Sequence, residues 1–111
     1  MQKSTAVSAL AALIALMALL VMHGNANAAD AQVKIANFTF EPPVLTVKVG
    51  TTVTWVNDDD IPHLMSEKDG KFRSSALDTG DKFSQTFSAA GTVEYFCAIH
   101  PHMTAKIVVE P

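Results

Sequence analysis

The chain holds one cysteine, Cys97, in 111 residues. No internal disulfide can form, no centre that needs two thiolates can be built, and no C-x-x-C-H haem attachment site exists. Positive charge is also scarce: eight Lys and Arg face eleven Asp and Glu, for a net charge of -3. That balance argues against nucleic acid and anionic membrane surfaces as partners. No internal repeat and no linker divides the chain, so it encodes one small domain. Past the first 28 residues no apolar pattern recurs at helical spacing, which excludes a helical bundle.

The missing disulfide gains weight from the opening segment. Lys3 precedes an uncharged, largely apolar run from Ala6 to Met22, followed by the polar GNANA and small residues at Ala26 and Ala28. This layout predicts a secretory signal peptide over residues 1-28 and a mature domain over 29-111. Ala29 and Ala31 would serve equally for a cut before Gln32. The competing reading is a retained anchor, since the 17-residue run approaches the roughly 20 residues that span a bilayer. Beyond residue 28, seven Lys and Arg remain against eleven Asp and Glu, a net charge of -4. A small exported domain ordinarily supplements its limited core with disulfides. Here something else must protect the thiol and help hold the fold, and a metal would do both.

What is present reads as strand. Apolar residues alternate at Val33 and Ile35, at Leu45, Val47 and Val49, at Val53 and Trp55, around Phe83 and Phe87, at Val93, Tyr95 and Cys97, and at Ile107 and Val109. Turn signals fall between them: Glu41-Pro42-Pro43, Gly50, Asn57-Asp58 with Pro62, Asp69-Gly70, Thr79-Gly80-Asp81 and Ala90-Gly91. Spacings of about 8 to 12 residues predict an all-β fold, an antiparallel Greek-key sandwich of about seven strands. Trp55, Phe38, Phe40, Phe83 and Phe87 are assigned to its core.

Alternation along TVEYFC places Cys97 on the face of Tyr95 and Val93, pointing inward at the end of a strand. Pro101 interrupts regular pairing and leaves His100, His102 and Met103 on a loop before TAKIVVE. Cys97, His100 and Met103 form C-x-x-H-x-x-M, a thiolate, an imidazole and a thioether within a short span of chain. His63, 34 residues upstream, is the best candidate for a fourth donor. Two imidazoles, a thiolate and a weak thioether favour copper over zinc, which has little use for methionine and whose structural sites carry more cysteine. With four protein donors, no position is left for substrate or water, which points away from an enzyme.

LTVKVGTTVTWVN, Pro62-His63, GTVEYFC and C-x-x-H-P-x-M before a Val-rich strand resemble the small cupredoxins, type 1 blue copper proteins, most closely their amicyanin and plastocyanin/pseudoazurin-like branch. The resemblance spans residues 33-110. It implies a periplasmic single-copper electron carrier with His63, Cys97 and His100 as strong ligands and Met103 as the axial one. It implies too that the His100 edge reaches the surface within an apolar patch that meets redox partners. Two positions depart from the pattern. Leu64 stands where such proteins often have an asparagine that hydrogen-bonds to the cysteine loop, and Ala98-Ile99 stand where proline or a polar residue is common. Ile99 is expected to enlarge the patch together with Ile61, Pro62, Met65 and Pro101.

The remaining candidates take plainer readings. His102 is expected to be an exposed bystander, and Asp58-Asp59-Asp60 a solvated turn, with steering of basic partners as the sharper alternative. The function expected is one-electron transport in the periplasm by a monomer that cycles Cu(II)/Cu(I), with a dehydrogenase or c-type cytochrome as partner. The alternative is a copper chaperone or copper-resistance protein. A copper oxidase or nitrite reductase would need further ligands that the chain does not offer.

Overall fold

The computed structural model describes residues 29-111. The expected signal peptide and its cleavage site lie outside the described residues or at their edge.

Eight strands form among the described residues: β1 (Asp30–Ala36), β2 (Thr39–Glu41), β3 (Val44–Lys48), β4 (Thr52–Asn57), β5 (Met65–Glu67), β6 (Lys82–Thr86), β7 (Gly91–Cys97) and β8 (Thr104–Glu110). They make two four-stranded sheets, ordered β2-β1-β4-β6 and β3-β8-β7-β5. The sandwich matches the expectation, with two differences. The three-residue β2 and β5 are too short to announce themselves by alternation. Two ladders, β1 with β4 and β3 with β8, are parallel, so the sheets are mixed. Parallel pairing joins segments distant in sequence through crossovers, and no local pattern encodes it.

The core forms where the inward faces meet. Val33, Ile35, Val53, Trp55, Tyr95, Ile107 and Val109 are buried, as their period of two requires. Trp55 sits at the centre, with its ring centroid 5.3 Å from that of Tyr95 and 5.8 Å from that of Phe83. Removing a side chain of this size from water contributes about 1.5–3 kcal/mol. Phe72 and Leu77, from the long β5–β6 connection, join the same cluster.

Three core or surface assignments need correction. Val49 is exposed, because it lies past the end of β3 in the turn before Gly50. Met65 does not belong to a surface patch: it pairs directly with Cys97 across the β5–β7 ladder and is fully buried. Phe38 is not core; it is 48% exposed at the β1–β2 turn. Phe40, two residues on, is buried as expected.

Strand directions gather one end of the sandwich. The C-terminal ends of β1, β4 and β7 and the N-terminal ends of β2, β5 and β8 meet there. All four expected metal donors lie on the chain at that end.

Candidate metal centre

The loop from β7 to β8 is closed by three backbone hydrogen bonds that join Cys97, His100 and Met103. The His100 amide donates to the Cys97 carbonyl at 3.1 Å, the Met103 amide to the His100 carbonyl at 2.9 Å, and the Cys97 amide to the Met103 carbonyl at 3.0 Å. Each of the first two closes a four-residue turn, which is why the donor residues recur at every third position. Pro101 occupies the second position of the His100–Met103 turn, where its fixed φ is favoured and its missing N–H is not needed. Met103 is buried at the end of this loop, while His102 is exposed, as expected.

His63 reaches the same place from the connection between β4 and β5. Asn57, fully buried at the end of β4, donates through its side-chain amide to the carbonyls of Ile61 (2.9 Å) and Leu77 (2.7 Å). Its carbonyl oxygen accepts from the Asp59 amide at 2.9 Å. This buried amide shapes the turn that its backbone enters. His63 then exchanges two hydrogen bonds with Leu77, donating at 3.1 Å and accepting at 2.7 Å. Both main-chain groups of the histidine are thus fixed before its side chain is considered.

The imidazole is fixed as well. His63 Nε2 lies 2.8 Å from Asp59 Oδ2, and the ring is fully buried. The Asp59 side chain is only 13% exposed and also accepts from the amides of Asn37 (2.6 Å) and Phe38 (3.0 Å). Burial pushes its pKa upward, but the amide of Phe38, the His63 ring and the amide of Asn37 together outweigh it and leave the carboxyl below its usual value. An ionised carboxylate only accepts, so Nε2 carries a hydrogen, and in the neutral ring Nδ1 is the nitrogen with the lone pair. The acidic run is therefore not a uniformly solvated turn. Asp58 and Asp60 face solvent, whereas Asp59 is turned inward and spent on structure.

Two ring nitrogens converge on the thiol. Cys97 Sγ is 3.6 Å from His63 Nδ1 and 3.6 Å from His100 Nδ1, and the three atoms lie within 4.8 Å of one another. A metal bonded at about 2.3 Å to sulfur and about 2.0 Å to nitrogen, at angles between tetrahedral and trigonal, separates S from N by roughly 3.5–3.7 Å. Both sulfur–nitrogen separations fit one shared ion. Cys97 and His63 are buried and His100 is partly exposed.

The two loops are tied without the side chain that Leu64 lacks. The Leu64 carbonyl accepts from the Ala98 amide at 2.8 Å, so the connection runs through backbone. Sequence reasoning missed Asn57, Asp59 and Leu77 as supports and Phe38 as a neighbour of the histidines. Asn37, a residue that tolerates positive φ, was the available signal for the turn at Phe38.

A β-sandwich that converges one buried cysteine and two imidazoles at one end defines a mononuclear soft-metal protein. The Cupredoxin-like domain family matches residues 9-109, and the chain belongs to that family. It is 37% identical over 90 residues to amicyanin-alpha from Methylorubrum extorquens, covering 77% of this chain and 76% of that one. It is 42% identical over 83 residues to amicyanin from Paracoccus denitrificans, covering 70% of this chain and 63% of that one. Among solved structures, a purple cupredoxin from Nitrosopumilus maritimus superposes with a TM-score of 0.68 at 37% identity, over 73% of this chain and all of that one. The cofactor of the family is one copper ion, and the thiolate-imidazole set found here suits it.

Proposed function

We propose that the protein is an exported one-electron carrier whose copper is held by His63, Cys97 and His100, with Met103 as a weak axial donor. The observation that carries this reading is the unequal burial of a preorganised donor set. Two donors are sealed in the sandwich and one imidazole meets the surface. Bound there, copper supplies one-electron chemistry between its two oxidation states. Asp59 holds His63 in one tautomer, the three-bond loop holds Cys97 and His100 at fixed separation, and the thiol is fully buried beside Met65. Such a frame suits electron transfer, because little has to rearrange when the charge changes.

Around His100 the surface is apolar: Phe38 and Ile99 are each about half exposed, and Pro101 and Pro62 lie beside them in the exposed loops. This patch is the docking surface for a redox partner such as a dehydrogenase or a c-type cytochrome. The chain works as a monomer in the periplasm after removal of residues 1-28.

Copper titration of residues 29-111 tests the reading. It predicts an intense visible band for Cu(II) and a reversible one-electron wave in voltammetry. A colourless Cu(II) form with rapid exchange would instead identify a chaperone. Amino-terminal sequencing of protein recovered from a periplasmic extract should begin at Ala29 or Gln32, and an intact Met1 would refute the leader.

A further inference from the structure

Phe38 breaks two local rules at once. Asn37 and Phe38 form the two-residue turn between Ala36 and Thr39, which pair across the hairpin, and both have positive φ, 52° and 59°. This geometry is that of an Asn-Gly turn, and a bulky side chain at its second position is disfavoured. The side chain is also half exposed, so core burial does not explain it. A residue that satisfies neither turn chemistry nor burial invites a functional explanation.

Its surroundings supply one. The Phe38 ring stands edge-on to His63, with centroids 5.7 Å apart at 88°, and edge-on to His100, at 5.2 Å and 85°. The two imidazoles are themselves 5.2 Å apart at 60°. Three rings thus meet in mutual edge contact, the arrangement aromatic quadrupoles prefer. The backbone that carries Phe38 is held by Asp59, whose two carboxylate oxygens accept from the Asn37 and Phe38 amides while one of them also meets His63 Nε2. One carboxylate therefore sets the position of a histidine and of the ring that covers it.

We propose that Phe38 is a positioning residue that clasps His63 and His100 from the solvent side, with Asp59 as its strut. This rests on the reading of both histidines as copper ligands. On the fully buried His63 the clasp adds little freedom to remove. On His100, carried by a loop and partly exposed, it adds an aromatic contact to that of His63 and limits ring motion.

The turn itself provides a clean test. Phe38→Gly suits the positive φ and removes the ring, so the apo fold should be as stable as the parent or more so. In the apo protein its His100 ring-proton resonances should shift and their order parameters fall. Copper affinity, measured by competition with a chelator, should drop about tenfold. The visible and EPR spectra of the copper form should change as well. Phe38→Tyr should restore parental values, and Phe38→Leu, apolar but without a ring, should not. Parental His100 dynamics and copper affinity in Phe38→Gly would overturn the proposal, as would full rescue by leucine. The apo resonances report on the clasp even if the protein proved not to carry electrons, so the two readings fail separately.

Discussion

The Cys97 amide donates to the Met103 carbonyl at 3.0 Å, closing the loop that the two turns through His100 begin. The donor spacing and the backbone geometry are the same fact seen twice. Each candidate donor residue sits where a turn starts or ends, so main-chain hydrogen bonds fix the backbone from which its side chain is aimed.

That closure makes loop length decisive. A glycine inserted after Ile99 cannot preserve the bond from the His100 amide to Cys97 and also that from the Cys97 amide to Met103. Copper affinity should fall about 100-fold, at the upper end of what displaced supporting contacts produce. The far-ultraviolet spectrum of the apo protein should be unchanged, because both flanking strands remain paired. Chelator competition and circular dichroism check the two halves, and unaltered affinity would show that the loop does not set the site.

Asp59→Ala removes the acceptor for two turn amides and for His63 Nε2. Leaving such donors without partners should destabilise the apo protein by about 1–3 kcal/mol in urea unfolding. In a Phe38→Gly background the turn adopts its positive φ without strain, so the same change should destabilise less. Strict additivity of the two substitutions would show that the carboxylate and the turn are independent.

Met65→Ala separates a core residue from a docking residue. Opposite Cys97 and fully buried, it should cost about 2–5 kcal/mol of stability. A variant that folded as well as the parent but bound redox partners more weakly would return Met65 to the surface patch.

Tyr95 gives the fold an alkaline limit. Burial pushes its phenol from 10.0 up to about 12, outweighing the lowering effect of the nearby Trp55 indole N–H. Neither group completes a hydrogen bond. An unfolded tyrosine ionises near pH 10, whereas the folded one keeps its proton to about 12. The stability associated with this group is whole below pH 10 and is lost as pH rises through 12, by roughly 2–3 kcal/mol. Urea midpoints of Tyr95→Phe should fall less over that interval than those of the parent. Parallel curves would exclude the phenol as the cause.

The strands and the three-residue spacing of the candidate donors were legible because both are local signals. Cys97, His100 and Met103 announce themselves by spacing, and alternation places Trp55 and Tyr95 inward. What escaped depends on where alternation stops. Phe38 and Phe40 share parity and looked like one face, but the turn at Asn37-Phe38 lies between strands and resets the phase. Asp59 was hidden between two exposed aspartates, since three like residues in a loop give no hint that the middle one turns inward. Met65 lies on a strand of three residues, too short for a period to be read. Parallel pairings such as Val33 with Trp55 are fixed by the crossover of the whole chain.

The Ala29 carbonyl accepts from the Thr52 amide, and β1 runs from there along β4 toward Asn57, while β8 carries the chain back to Glu110 beside Val49. Both ends of the described chain therefore leave the sandwich opposite the histidines. The seven residues of β1, at about 3.3 Å each, set that separation at roughly 20 Å. Anything tethered through either terminus, whether a lipid bilayer, a fusion partner or a derivatised electrode, would hold the molecule by its tail and present His100 outward.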